Sequence, residues 1–289
     1  MAHALERPVS SACLANALGA EHCGREVAIS YVGSHLDNDV DNCIYFTKKY
    51  APSKSGNSIV IAPDAISDHD AIIRSSNPRL TFARALRWIL DNCGISTWNY
   101  PAKISSTATI GKNVVLHPGI EVGPHVVIED NVVIHPGTRI GARTRIRASS
   151  SVGGDGFGFE RDLDGTPVRI PHLGGVHIAS DVEIGSLCSV VRGTLVDTVI
   201  EEHVKTDNLV HIAHNCRIGA GSLLTACCEL SGGVQLGKQC WVGPNASIMQ
   251  KVAIGEGAFI GIGAVILKDI EPRTVWAGNP ARMIRRLTS

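Results

Sequence analysis

Two histidines stand three residues apart in HIAHNC, residues 211–216, beside an asparagine and a cysteine. Four readings fit those side chains. A metal site would need three or four ligands at set spacing, and no further His, Asp or Glu is placed near them by the sequence, so no metal is expected. Cys216 as a nucleophile would need a histidine aimed at it, and it is one of nine cysteines. His214 could act alone as a general base, since imidazole takes up protons near neutral pH. Ordinary packing is the fourth reading. The period of the surrounding sequence bears on the choice.

Every sixth residue from Ile104 is aliphatic: Ile104, Ile110, Leu116, Val122, Ile128, Ile134, Ile140, Ile146 and Val152. The period resumes at Ile178, Ile184 and Val190, then runs from Ile200 to Ile266 with Thr206 as the lapse. Six fits neither a helix of about 3.6 residues per turn nor a strand of about 2 alone. It fits short strands joined by tight turns, three to a coil of about 18 residues. The expected fold class is therefore mainly β, a parallel β-helix with one aliphatic column at each corner. Residues 18 apart then stack about 4.8 Å apart on neighbouring rungs. His214, Gly232, Gln250 and Lys268 fall on one such ladder, with Ile212 in the interior column. Gly232, in LSGGVQ, leaves a bare backbone that a ligand can approach closely.

The repeat breaks at GGDGFGFERDLDGTPVRIPHLGGVH, residues 153–177, and again at VRGTLVDTV after Val190. Such interruptions leave a coil as surface loops, where binding sites concentrate. Residues 1–100 show no hexads. SSACLANALGA has helical spacing, SIVIAP reads as a strand, and NPRLTFARALRWILDNCG reads as an amphipathic helix stopped by Gly. A small α/β domain over 1–100 is expected, then the β-helix over 101–270, then a short tail over 271–289.

The 289-residue chain has a formal net charge of zero, which makes no electrostatic case for nucleic acid or a membrane surface. No apolar run reaches the roughly 18 residues that membrane insertion requires. The first residues lack the basic and apolar regions of a signal peptide. A cytoplasmic location is the expectation, with most cysteines reduced and buried. Only 4% of residues are aromatic while 30 are glycine, which suits a core of stacked small aliphatics.

GGDGFGF, IPHLGGVHI, VEIG, RGTLVDTVI, DNLVHIAHNCRIG and LSGGVQLGKQCWVG together resemble the LpxD family, the N-acyltransferases of lipid A synthesis. The likeness extends through NPRLTFARAL and so covers nearly the whole chain. HIAHNC is also similar to the active-site segment of the related O-acyltransferases. The resemblance implies a left-handed coil, a homotrimer with active sites between subunits, and His214 as general base. It implies that His211 contacts the sugar and that the Gly232 N–H holds the oxyanion. Asn215 is a candidate to fix the imidazole tautomer, and the sequence leaves the orienting group open. The resemblance further implies that rings of the N-terminal domain stack on the base of a nucleotide, with Phe46 and Tyr50 in CIYFTKKY as the matching residues. Phe157 and Phe159 in the Gly-rich insertion are candidates to close over the acceptor.

Two features depart from that family. The family carries a second histidine one coil beyond the oxyanion glycine, where this chain has Lys251. The ending VILKDIEPRTVWAGNPARMIRRL is similar instead to CoA-dependent hexapeptide transferases, whose GNPA loop lies beside bound CoA. That likeness implies Lys268, Lys251 and Arg282 near the donor phosphates and Trp276 as an adenine platform. The expected function is transfer of an acyl group from acyl-CoA to the amine of a dTDP- or UDP-linked amino deoxy-sugar for surface polysaccharide. The alternative is a UDP-3-O-acylglucosamine N-acyltransferase of lipid A synthesis using acyl carrier protein. A third reading is an inactive scaffold that binds sugar nucleotides.

Overall fold

The computed structural model describes residues 2–34, 40–47, 58–63 and 69–287. By contacts the chain divides into two compact units. One comprises residues 1–99 and 157–173; the other comprises 100–156 and 174–289.

The first unit is a mixed sheet carrying two helices. Its strands are β1 (His3–Ser10), β2 (His22–Gly24), β3 (Ala28–Val32), β4 (Cys43–Phe46), β5 (Ser58–Ala62) and β6 (Ala71–Arg74), in the order β1-β3-β4-β5-β6-β2. The central four run parallel, and Ile29, Ile44, Ile59, Ile61 and Ile73 are fully buried in it. Helix α1 (Ser11–Ala17) starts where the Ser10 side chain accepts the Cys13 N–H. Helix α2 (Pro78–Asn92) starts at Asn77, with Pro78 in its first turn, and is followed by Gly94 in the left-handed region at φ 76°. Its apolar face buries Leu80, Phe82, Ala83, Leu86 and Ile89.

The insertion expected as a surface loop contributes residues 157–173 to this unit. It forms a hairpin, Phe159–Arg161 against Pro167–Arg169. Arg79 pairs with Glu160 at 3.0 Å, and Arg84 pairs with Asp162. Ile170 and Leu173 of the segment are buried, and the two ion pairs to α2 are partly exposed and add little to that burial.

The second unit is a parallel β-solenoid of three sheets with eight, ten and eight strands. Rungs of uninterrupted sequence are offset by 18 residues, as in His211↔Glu229 and Glu229↔Ser247. The aliphatic columns lie inside: Ile128, Ile134, Ile146, Ile184, Ile212, Leu230 and Ile248 are each at most 1% exposed. Burying one such side chain contributes about 1.5–3 kcal/mol. The column residues Ile104 and Ile110 are 43% and 37% exposed. They belong to the first coil, which has only one neighbouring rung to cover it. Thr206, the polar lapse, is buried but satisfied, accepting the Gly185 N–H at 2.9 Å.

The turns share one backbone device. Asn113, Gly119, His125, Asn131, Gly137, Arg143 and Ser149 all have positive φ, six residues apart. The series resumes at Asp181 and Leu187, then runs from His203 through Leu209, Asn215, Gly221, Cys227, Gly233, Gln239, Asn245 and Lys251 to Gly257 and Gly263. A left-handed residue sharpens each corner, and Asn and Gly tolerate that conformation best. His117 and His135, one coil apart, stack with centroids 5.2 Å apart and planes at 11°. Among the described residues no helix is long and apolar enough to cross a membrane.

Candidate active site

Ile212 points into the core, so the chain turns a corner at Ala213, His214 and Asn215. His214 and Asn215 are both half-buried. Nδ1 of His214 and Oδ1 of Asn215 are 2.8 Å apart. An amide oxygen only accepts, so Nδ1 carries the proton and Nε2 is the basic nitrogen of the neutral ring. The amide orientation has its own support: Asn215 Nδ2 donates to the Val196 carbonyl at 3.2 Å, while Oδ1 accepts from the Thr194 hydroxyl at 2.9 Å. The Asn215 N–H donates to Thr198 Oγ1 at 2.9 Å. Asn215 thus serves the turn through its φ of 62° and the imidazole through its side chain.

Gly232 lies one rung on, its register set by Gly233 N–H donating to the His214 carbonyl at 2.8 Å. A Cβ built on Gly232 would sit 2.6 Å from both Cε1 and Nε2 of His214. The ring edge therefore occupies the space of the missing side chain. The position two past a column residue mostly does not spend its N–H on the ladder, and Pro118, Pro124, Pro136 and Pro244 occupy it elsewhere; Arg192, whose N–H donates to the Gly154 carbonyl at 3.0 Å, is an exception. At Gly232 the same N–H is available to a ligand, with no internal acceptor among the described residues. A base and an oxyanion donor on successive rungs can remove a proton from a nucleophile and hold the charge on an attacked carbonyl.

His211, the residue before Ile212, is half-buried between Ser189 and Glu229 on adjacent rungs of its sheet. Cys216 is buried, and burial pushes its thiol up to about 12. That leaves it protonated near neutral pH and unsuited to nucleophilic work. Lys251 takes the left-handed corner one rung past Gly233, and its N–H donates to the Gly232 carbonyl at 2.9 Å.

Further along the ladder, the Lys268 ammonium lies 5.4 Å from the centroid of the Trp276 ring. These two and Arg282 border a cavity of about 390 Å³ with Ile266, Leu267, Pro280 and Ala281. Trp276 is 7% exposed, with Nε1 donating to Thr274 Oγ1 at 3.1 Å.

In the first unit Phe46 packs on Phe82 of α2, with centroids 5.0 Å apart. Tyr50 lies outside the described residues. Phe157 is 88% exposed and leans on Phe159 at 4.9 Å, and the Arg169 guanidinium covers Phe159 at 4.6 Å.

Sequence reasoning did not single out Thr194, Val196 and Thr198, which hold Asn215. Their only signal is that VRGTLVDTV breaks the period immediately before HIAHNC.

Comparison with known proteins agrees with the repeat. A family model of the bacterial transferase hexapeptide (six repeats) matches residues 197–232 and 233–268, and one for the hexapeptide repeat of succinyl-transferase matches 101–136. The UDP-3-O-acylglucosamine N-acyltransferase of Delftia acidovorans is 31% identical over 285 residues, covering 91% of this chain and 84% of that protein. The enzyme of the same name from Helicobacter hepaticus is 31% identical over 268 residues, covering 86% of this chain and 80% of that one. A further namesake, from Janthinobacterium, is 37% identical but over 137 residues, 47% of this chain and 39% of its own length. Among solved structures, LpxA from Acinetobacter baumannii superposes with a TM-score of 0.56 at 28% identity, covering 64% of this chain and 72% of that one.

These relatives overturn the expectation of an acyl-CoA-dependent enzyme acting on amino deoxy-sugars. Proteins alignable along most of the chain are named for UDP-3-O-acylglucosamine, the reading held as the alternative. The ending that suggested CoA has a structural reason. GNPA forms the turn between Thr274–Ala277 and Arg282–Arg286, an antiparallel pair that extends one sheet at the end of the coil, with Ala281 N–H donating to the Val265 carbonyl at 2.9 Å. A solenoid needs such a cap whatever donor it uses.

Proposed function

Because the chain belongs to the family of UDP-3-O-acylglucosamine N-acyltransferases, we propose that it transfers an acyl group from a thioester to the amine of a UDP-linked 3-O-acylglucosamine. The observation that carries this reading is the meeting of His214 Nε2 with Gly232, on adjacent rungs and with no side chain between. The sugar amine attacks the thioester carbonyl as His214 Nε2 takes its proton. The oxyanion of the tetrahedral intermediate accepts the Gly232 N–H. Collapse reforms the carbonyl and breaks the C–S bond; the thiolate leaves and takes the proton from the imidazolium. An amide and a free thiol result, and no covalent enzyme intermediate is formed.

The donor in this reading is an acyl group on the phosphopantetheine of acyl carrier protein. Lys268 stands three rungs from His214, about 14–15 Å, which matches the reach of an extended pantetheine arm. Its ammonium and the Arg282 guanidinium suit the arm's phosphate. His211 faces the sugar. The working form is a trimer of this chain. Leu223, Trp241 and Phe259 support it, since they stack on adjacent rungs of one outer face and are 37%, 38% and 40% exposed.

The test is direct. Purified protein is mixed with UDP-3-O-acylglucosamine and hydroxyacyl-carrier protein, thiol release is followed, and the product is read by mass spectrometry. An N-acylated sugar nucleotide formed one-to-one with thiol is expected. No transfer to this acceptor from either carrier-bound or CoA-bound acyl groups would remove the proposal.

A further inference from the structure

Ser189 pairs with His211 across 22 residues, whereas His211 pairs with Glu229 across 18. The extra four residues make a bend at Gly193–Val196. A Cβ on Gly193 would lie 1.6 Å from the Val196 carbonyl oxygen, so a residue with a side chain cannot close this bend. Arg192 secures the entry. Its guanidinium is mostly buried and donates to the carbonyls of Gly174 at 2.8 Å and Pro136 at 2.7 Å.

The bend presents two groups of fixed polarity to Asn215. The Thr194 N–H reaches Oδ1 at 3.3 Å, and the Val196 carbonyl receives Nδ2 at 3.2 Å. A backbone N–H cannot accept and a carbonyl cannot donate, so a reversed amide would lose both bonds and set like against like. The Thr194 hydroxyl adds a third contact to Oδ1 at 2.9 Å. Oδ1 in turn meets His214 Nδ1 at 2.8 Å. Reversal would place the amide NH₂ against Nδ1, move the ring proton to Nε2 and remove the base.

We propose that the bend Gly193–Val196 selects the tautomer of His214 by locking the Asn215 amide, with Thr194 as a positioning residue. This rests on the reading of His214 as general base. The bend meets the imidazole through Asn215, so its effect is expected on turnover rather than on substrate affinity.

Thr194→Val keeps the branched volume and removes the hydroxyl, and Thr194→Ser returns it. Long-range ¹H–¹⁵N spectra of histidine-labelled protein report which nitrogen of the neutral ring is protonated, with His214 assigned by its loss in His214→Gln. The wild type is expected to show Nδ1–H. Thr194→Val should populate the Nε2–H form and lower kcat roughly 3–10-fold, the worth of one neutral hydrogen bond, with both KM values unchanged. Thr194→Ser should reverse both effects. An Nε2–H wild type would overturn the proposal. So would a Thr194→Val protein with unaltered tautomer and kcat, or a loss that Ser does not restore. The spectra need no substrate. If they show Nδ1–H in the wild type and its partial loss in Thr194→Val, while no acyl transfer is found, the function fails and the tautomer lock stands.

Discussion

A methyl group on Gly232 would lie 2.6 Å from Nε2 of His214. That is well inside van der Waals contact, and Gly232 is absent from the positive-φ residues, so its backbone accepts alanine without strain. Gly232→Ala is therefore expected to fold normally and displace the imidazole. Misplacing a catalytic group by a fraction of an ångström to an ångström costs up to about 10² in rate. A loss of kcat of that order with an unshifted melting temperature is the expected result; full activity would mean that the ring yields without consequence.

His214→Ala should lower kcat by roughly 10²–10⁴, the range for loss of a general base. His211→Ala should act mainly on KM for the sugar nucleotide. Steady-state kinetics on both variants decides the matter, and equal small losses would take the base role away from His214.

Cys216 lies two residues from His214, yet burial raises its thiol to about 12, and Cys228 is raised likewise. Iodoacetamide at pH 8 should label the exposed Cys13 and Cys227 and spare Cys216 and Cys228. Cys216→Ala should retain activity. The linkage sign follows from the direction of the shift. The folded pKa lies above the ordinary 9.0, so an unfolded chain releases these protons first. Their stabilising contribution is complete below about pH 9 and declines toward pH 12. A thermal melt series should show Cys216→Ala losing less stability than wild type across that interval.

Trp241 and Phe259 stack at 5.9 Å with planes at 4° on an outer face of the solenoid. Replacing both with Glu puts like charges on adjacent rungs of that face. Light scattering should then report a monomer, against the trimer proposed for the parent, while circular dichroism stays the same. A double variant that keeps the parent mass would exclude this face as the subunit contact.

Lys268→Ala and Arg282→Ala should each raise KM for the acyl-carrier donor about tenfold, the scale of one charge-assisted hydrogen bond. KM for the acceptor should stay the same. Saturation by donor that is indifferent to both changes would move the phosphate elsewhere.

The solenoid was legible because its rule is local. One aliphatic side chain every sixth residue, with Gly or Asn at many of the corners, is a constraint each turn imposes on its own few residues. The same count put His214, Gly232 and Lys268 on one ladder, since uninterrupted rungs keep an 18-residue offset. The stop of α2 was equally readable, because Gly94 acts within one turn of the helix end. The acceptor class was not legible from GNPA, because the geometry that stretch encodes is a turn closing the coil. What only the tertiary structure decided lies where the offset changes. A break in the period says that residues leave the ladder and not where they go. Residues 157–173 join the first unit with Ile170 and Leu173 buried and ion pairs to α2 alongside, and residues 193–196 fold back on Asn215. Both outcomes depend on contacts between residues far apart in the chain, and no short-range periodicity records such contacts.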